Sequence, residues 1–164
     1  MMLVLFIVPF ALQAQTKYHD VEANDAKGKV KSITTSMMGQ ERKTLFSEDG
    51  KMQQEGLKNA VYDDNGYIKS AEMEMQGMTI KVNYTWENGK VKSQTMDIMG
   101  QSMPQVNTYN EKGELVKQSM NMGGQEMNIE FSDYKYDDKG NWISRKTNMM
   151  GQSMDTPRKI EYYE

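Results

Sequence analysis

Methionine is the residue type in this chain whose number and spacing could do chemistry. The sequence has 17 methionines among 164 residues. Because the thioether sulfur is soft and polarizable, methionine clusters can fill an irregular core, hold an apolar ligand or bind a soft metal ion such as Cu(I). The clusters read Met37-Met38-Gly39, Met73-x-Met75-x-Gly77-Met78, Met96-x-x-Met99-Gly100-x-x-Met103, Met120-x-Met122-Gly123-Gly124-x-x-Met127 and Met149-Met150-Gly151-x-x-Met154.

Three interpretations of these clusters stay open. The first is packing, since methionine is flexible and fills gaps in a core. The second is an adaptable apolar surface that binds a lipid, a peptide or an acyl chain. The third is a soft-metal site, whose candidates are Met73, Met75, Met96 and Met99. No metal site is predicted outright, because the chain has no cysteine and its one histidine lies far from every cluster.

The second interpretation predicts where a ligand would bind. In a meander of hairpins, equivalent positions of successive hairpins stack side by side. We therefore expect the methionines to form a band at one end of a sheet, beside the Met-Gly-Gln turns. The residues predicted to bind a ligand there are Met37, Met75, Met78, Met99, Met103, Met127, Met150, Met154 and Trp86.

Residues suited to acid–base or nucleophilic catalysis are sparse, and we predict that the chain is not an enzyme. His19 is the only histidine, and we expect it to be solvated rather than to act as a general base. The aspartate pairs Asp63-Asp64 and Asp137-Asp138 each precede a turn glycine. We interpret them as turn formers, because neighbouring strand residues point to opposite faces. No cofactor is predicted.

The net charge and the composition disfavour some classes of partner and indicate where the protein is located. The net charge is −3 and no basic stripe occurs, which argues against nucleic acid or an anionic membrane surface. Residues 1–12 are apolar, too short a run to span a bilayer and suited to a secretory leader. We predict a signal peptide at 1–15 and one β-repeat domain at 16–164. Without cysteine, no lipid anchor or disulfide can form, so a soluble periplasmic or secreted protein is expected.

The spacing of the glycines predicts the strands and turns that position the methionines. They recur in pairs eleven residues apart, as in Gly28 and Gly39, and Asp- or Asn-rich turns precede the first of each pair. The spacing predicts an all-β antiparallel meander of about eleven strands, curled as a single sheet or closed into a barrel or half-barrel rather than lying flat. The predicted strands are 29–37, 41–47, 51–62, 67–75, 79–86, 90–98, 103–109, 114–122, 126–136, 141–149 and 156–163.

Three residues predict local irregularities within these strands. Gly56 is expected to break or bulge the third strand. Pro104 and Pro157 predict an edge position or a bulge, because proline cannot donate to a strand ladder.

One repeat motif resembles a known family. Tyr134-x-Tyr136-Asp-x-x-Gly-Asn-Trp142 resembles the YD repeat of RHS-type proteins, and residues 60–68 and 107–115 fit it less fully. Trp86-Glu-Asn-Gly-Lys-Val91 is similar to the repeats of MORN-like proteins. The resemblance implies antiparallel β-hairpins in series and carries no catalytic residues. Small exported proteins of Bacteroidetes-like bacteria are similar in kind.

The sequence thus predicts an exported, non-enzymatic β-repeat protein that binds a partner or ligand through a methionine-rich apolar face. One alternative is a periplasmic carrier of a lipid, a lipoprotein or Cu(I). Another is a structural module that self-associates as a homo-oligomer. The expected partner is a protein, a peptide or a lipid, with no membrane span in the mature chain.

Overall fold

A computed structural model describes residues 17–75 and 77–164, apart from the side chains of Met75 and Met122. The predicted leader at 1–15 lies outside the described residues. The helix is α1 (Asp20–Ala23), and the strands are β1 (Val30–Met37), β2 (Gln40–Phe46), β3 (Met52–Gln53), β4 (Leu57–Tyr62), β5 (Ile68–Met75), β6 (Met78–Glu87), β7 (Lys90–Ile98), β8 (Gln101–Tyr109), β9 (Leu115–Met122), β10 (Gln125–Tyr136), β11 (Trp142–Met149) and β12 (Gln152–Tyr162).

The strands form one antiparallel sheet that nearly closes on itself. Its order is β3-β2-β1-β12-β11-β10-β9-β8-β7-β6-β5-β4, so every hairpin pairs with the next and the first and last strands are neighbours. Closure buries one face of the sheet and leaves only two strand edges unpaired. The predicted all-β antiparallel meander, curled into a barrel-like sheet, is confirmed.

The two free edges come from the third predicted strand, 51–62. It is divided into β3, which pairs with β2, and β4, which pairs with β5, so a seam remains between them. Gly56 lies at this division with φ +83°, and a Cβ there would approach the carbonyl oxygen of Glu74 to 2.6 Å. The predicted break at Gly56 is therefore confirmed, and it turns eleven predicted strands into twelve.

The two ends of the sheet carry different turns. At one end, an aspartate side chain organises the turn: Asp63 Oδ1 accepts hydrogen bonds from the backbone N–H groups of Asn65 and Tyr67, both at 2.9 Å. Asp137 makes the equivalent pair of bonds further along the chain. These aspartates are turn formers, as predicted. The opposite end carries the methionine-glycine turns, and we call it the methionine end.

Neighbouring hairpins are not paired with each other close to the methionine end. The ladder between β8 and β9 begins at Gln105, and the ladder between β12 and β1 begins at Arg158. Pro104 and Pro157 lie one residue outside these ladders, so each is paired on one side only. Both prolines therefore lie where a central strand has no partner on one side. The N–H that proline lacks is not needed there for a ladder hydrogen bond, although neither proline lies on an edge strand.

An N-terminal arm, residues 17–27, closes the aspartate-turn end. The backbone N–H of His19 donates to the carbonyl of Gly66 at 3.1 Å. The His19 ring stacks on Tyr67 at 4.0 Å between centroids, and its side chain is 17% exposed. The prediction that His19 is solvated is therefore wrong, because the arm folds back over the turns. The arm and the first strands share a buried apolar cluster of Val21, Ala26, Val30, Ile33 and Phe46.

Asp20 of the arm bridges the seam. Its Oδ2 accepts one hydrogen bond from the backbone N–H of Met52 in β3 and another from the hydroxyl of Tyr62 in β4, both at 2.7 Å. The residue is fully buried, and burial raises the pKa of its carboxyl group above 3.8 although both hydrogen bonds act to lower it. One buried side chain thus joins the two strands that the sheet leaves unpaired.

Candidate ligand-binding interior

The curled sheet encloses an interior that we call the lumen. It consists of two cavities of about 580 and 520 Å³. Every strand except β4 contributes lining residues to one or the other. The two cavities share five lining residues, so they are lobes of one space: Ala23, Asn24, Arg42, Asn107 and Gln118.

The larger cavity, the seam lobe, has an apolar wall built by strands β5 to β7. Met73 lies opposite Ile80, and Val82 lies opposite Met96, so these four side chains form two cross-strand pairs on the inner face. All four line the cavity. Tyr84 continues the wall towards the arm, and burial raises the pKa of its hydroxyl group. This lobe can accommodate hydrocarbon.

The smaller cavity, the terminal lobe, contains stacked arginines. The guanidinium groups of Arg158 and Arg145 lie over the Trp142 ring at 3.7 and 4.3 Å from its centroid. Arg158 donates to the carbonyl groups of Trp142, Asn24 and Asp25 at 2.9 to 3.1 Å. Burial lowers the pKa of Arg158 to about 10, while the charge of Asp25 acts to raise it. Arg158 therefore stays charged at neutral pH and fastens the arm to the lumen wall.

Arg145 has hydrogen-bonding capacity left. Its terminal nitrogen donates to the hydroxyl of Tyr134 at 3.1 Å and lies 3.8 Å from the carboxylate of Asp25. Its Nε is buried and makes no hydrogen bond with any part of the chain that the structure describes. Arg42 lines both lobes and is solvent-exposed. Arg42 is therefore the more accessible of the two guanidinium groups for a polar group inside the lumen.

A polar belt crosses the wall where the lobes meet. Gln105 and Asn107 are 7% and 6% exposed, and Gln105 Nε2 donates to Asn107 Oδ1 at 3.2 Å. Asn107 in turn donates to the carbonyl of Val91, and Gln118 donates to Asn107 Oδ1 at 3.3 Å. The sequence-based expectation of an apolar inner face is therefore only partly correct. The alternation of Met103, Gln105 and Asn107 was the signal for an inward-facing polar belt.

Five of the predicted ligand-binding methionines lie on the inner face. Met37 lines the terminal lobe directly. The other four are placed there by register, because each lies opposite or two residues from a side chain that lines a lobe. They stand between the lumen and the turns of the methionine end. These four are Met78, Met103, Met127 and Met154.

The remaining predicted residues lie elsewhere. Met99 and Met150 are at turn tips, 85% and 83% exposed, and do not face the lumen. Trp86 lies towards the opposite end, where its indole N–H donates to the carbonyl of Ile68 at 2.8 Å. The side chain of Met75 is outside the described part of the structure. The predicted methionine band thus has an inward-facing part and an outward-facing part.

The candidate metal ligands are spread over separate places. Met73 and Met96 line the seam lobe from β5 and β7, and β6 lies between these strands. Strands two apart are separated by about 10 Å, so Met73 and Met96 are not direct cross-strand neighbours. Met99 is at an exposed turn. Within residues 17–75 and 77–164, no group of three or more His, Cys, Asp or Glu side chains could hold a metal ion.

No family model matches the chain, and no curated protein matches it. Among the helices in the described ranges, none has the length and apolar character needed to cross a bilayer. The geometry of the lumen is accordingly the basis for a functional proposal.

Proposed function

We propose that this chain is an exported, non-enzymatic binding protein that holds an amphiphilic ligand, such as a fatty acid, inside its lumen. The observation that carries this proposal is the pair of connected cavities, about 580 and 520 Å³, lined by the inner face of the nearly closed sheet. Cavities of this size are typical of sites for small organic ligands.

The distribution of polar groups supports an amphiphile over a purely apolar ligand. The seam lobe offers hydrocarbon contacts with Met73, Ile80 and Val82. The guanidinium of Arg145 lines the terminal lobe, and the exposed Arg42 lines both lobes. An acyl chain in the first lobe would place a carboxylate within reach of the second, where charge-assisted hydrogen bonds are strong.

Two titratable groups of the lumen, Tyr109 and Arg158, are unsuited to act as general acids or bases at neutral pH. Burial raises the pKa of Tyr109 to about 12, and Arg158 has a pKa of about 10. Groups that act as general acids or bases work best with a pKa near the operating pH. These two lumen groups keep their protonation state across the neutral range.

Self-association through sheet edges has less support. The free edges are β3, with two residues, and β4, with six. Short edge strands are one way in which proteins avoid edge-to-edge pairing. Asp20 also joins the two strands across the seam.

A binding assay tests the proposal. The processed chain is titrated into a dansyl-labelled long-chain fatty acid, and emission reports entry into an apolar site. Ile80→Glu places a charge in the seam lobe and is expected to weaken binding about tenfold or more. The matched control is Val106→Glu on β8, where the side chain is 45% exposed on the outer wall, and it should leave affinity within about twofold.

Native mass spectrometry of the purified chain provides a second measurement that does not depend on either variant folding. A co-purified amphiphile supports the proposal. The proposal fails if the chain neither retains nor binds an amphiphile, or if both glutamate variants weaken binding equally. Bound Cu(I) or a stable dimer, with no amphiphile, would favour the alternative functions instead.

A further inference from the structure

Three methionines occupy a backbone conformation that methionine rarely adopts. Met38, Met99 and Met150 have φ of 53°, 50° and 53°, and each precedes a glycine with positive φ. Two consecutive residues with positive φ define the two-residue hairpin turn that matches the twist of the flanking strands. We call these three the rim methionines. Their exposed fractions are 65%, 85% and 83%.

Neither turn geometry nor packing accounts for methionine at these positions. The turn between β6 and β7 has the same backbone form with Asn88 and Gly89, at φ 52° and 71°. Asparagine tolerates the left-handed region far better than a long apolar side chain does. Because the rim side chains are mostly exposed, they also add little to the core. Three exposed apolar side chains at one end of the sheet, each in a backbone conformation that disfavours it, form a candidate contact surface.

The position and charge of the rim indicate what it contacts. The three tips lie at the methionine end, opposite the end that the arm closes. No lysine or arginine occurs in 36–41, 98–103 or 149–154, and glutamine follows each turn glycine. Such tips have no attraction for anionic headgroups. Apart from the carboxylate of Glu41, the side chains in these ranges are neutral, which suits the headgroup boundary of an uncharged lipid surface.

We propose that the rim methionines insert into the apolar boundary of a zwitterionic lipid surface, with the methionine end facing the lipid. Their tips are carried by three hairpins, of which those of Met38 and Met150 are neighbours in the sheet. Flexible thioether side chains at separate tips suit a fluid surface, which imposes no fixed pattern of contacts. This surface contact does not depend on what the lumen holds.

Vesicle flotation tests the contact. The processed chain is mixed with vesicles of pure phosphatidylcholine, and the bound fraction is measured for Met38→Asn/Met99→Asn/Met150→Asn. Asparagine preserves the turns, as at Asn88, so a loss of binding reports the lost side chains. We expect partitioning to fall about tenfold or more. The matched control Leu45→Asn/Val61→Asn changes outer-wall residues 43% and 51% exposed and should stay within about twofold.

A single tryptophan at the rim gives an independent readout. Met99→Trp should show blue-shifted emission with vesicles and quenching by brominated phosphatidylcholine, whereas Val61→Trp should show neither. The inference is overturned if the chain does not float, if the asparagine triple variant floats as well as the native chain, or if binding requires anionic lipid. A dimer lost in the triple variant would also overturn it. Ile80→Glu should float normally, which separates this contact from lumen binding.

Discussion

Asn141 and Lys27, 114 residues apart in the sequence, exchange two hydrogen bonds. The side-chain Nδ2 of Asn141 donates to the carbonyl of Lys27 at 2.9 Å, and its Oδ1 accepts from the Lys27 N–H at 2.8 Å. The amide thus pairs with the arm as a neighbouring strand would. Asn141 is 3% exposed, so neither group has water as an alternative partner.

Replacing Asn141 tests how strongly the arm is held. Asn141→Ala removes both hydrogen bonds to the backbone of Lys27, and we expect the free energy of unfolding to fall by about 1–3 kcal/mol. The measurement is urea denaturation followed by tryptophan fluorescence. Asn148→Ala, on the exposed face of β11, is the control and should change stability by less than about 0.5 kcal/mol. A cost for Asn141→Ala below that of the control would contradict the assignment.

Alanine variants of two glycines with equal φ distinguish the cost of backbone strain from the cost of a steric clash. Gly66 and Gly28 both have φ +85°, yet a Cβ at Gly66 would lie 1.9 Å from the carbonyl oxygen of Lys17, while one at Gly28 meets nothing within 4 Å. Gly28→Ala should therefore cost only the conformational term, about 1–2 kcal/mol. Gly66→Ala should cost clearly more, because the arm must move.

Thermal unfolding compares the two alanine variants, and limited proteolysis locates any displaced arm. Only Gly66→Ala should increase cleavage near residue 17. Equal melting temperatures for the two variants would show that the arm does not press on this turn.

Stability should depend on pH through Asp20. Its pKa in the folded chain is raised by burial, so the folded state binds this proton more readily than the unfolded state does. The stabilisation from the neutral carboxyl group is present below pH 3.8 and is lost as the pH rises through the folded pKa. Asp20→Asn is always neutral and lacks this dependence.

The difference in unfolding free energy between the native chain and Asp20→Asn isolates this term from other carboxyl groups. As the pH rises from about 3 to about 7, we expect the native chain to lose stability relative to Asp20→Asn. A flat or opposite trend would mean that the seam carboxylate is stabilised as an anion. Carbon-detected NMR titration of Asp20 gives its pKa directly.

The rim turns should tolerate asparagine better than methionine. Met99→Asn places a residue suited to positive φ at an exposed tip, and we expect stability to rise by about 0.5–1 kcal/mol. Met99→Val should lower it, since a β-branched side chain is less compatible still. Thermal denaturation ranks the three chains. If asparagine were destabilising here, the methionine side chain would be making contacts within the chain itself.

The hairpin series was predictable because its signals are local. The glycine pairs and the Asx turns fix where each strand ends, and period-two alternation in segments such as 78–86 fixes which face each side chain takes. Gly56 also indicated an irregularity in the third strand, although the sequence left open whether the strand would break or bulge there.

The hydrogen-bond partners of the polar belt and the role of the arm could not be predicted in the same way. Gln105 and Asn107 satisfy one another and the carbonyl of Val91 only once three strands are adjacent. Arg158 finds its acceptors in Asn24 and Asp25, more than 130 residues away in sequence. Local propensity contains no information about such partners, because the curvature of the whole sheet brings them together.

The neighbouring positions of β1 and β12 also set the order of events in biogenesis. A chain emerging from the ribosome can stack its hairpins one after another, but the ring cannot be completed until Ile160 reaches its place opposite Ile33. A prematurely terminated product would leave β1 paired only with β2 and would have a further unpaired edge besides those of β3 and β4. Proteases and chaperones could recognise the additional unpaired edge of such a fragment, so a complete chain differs from an incomplete one in the backbone that it exposes.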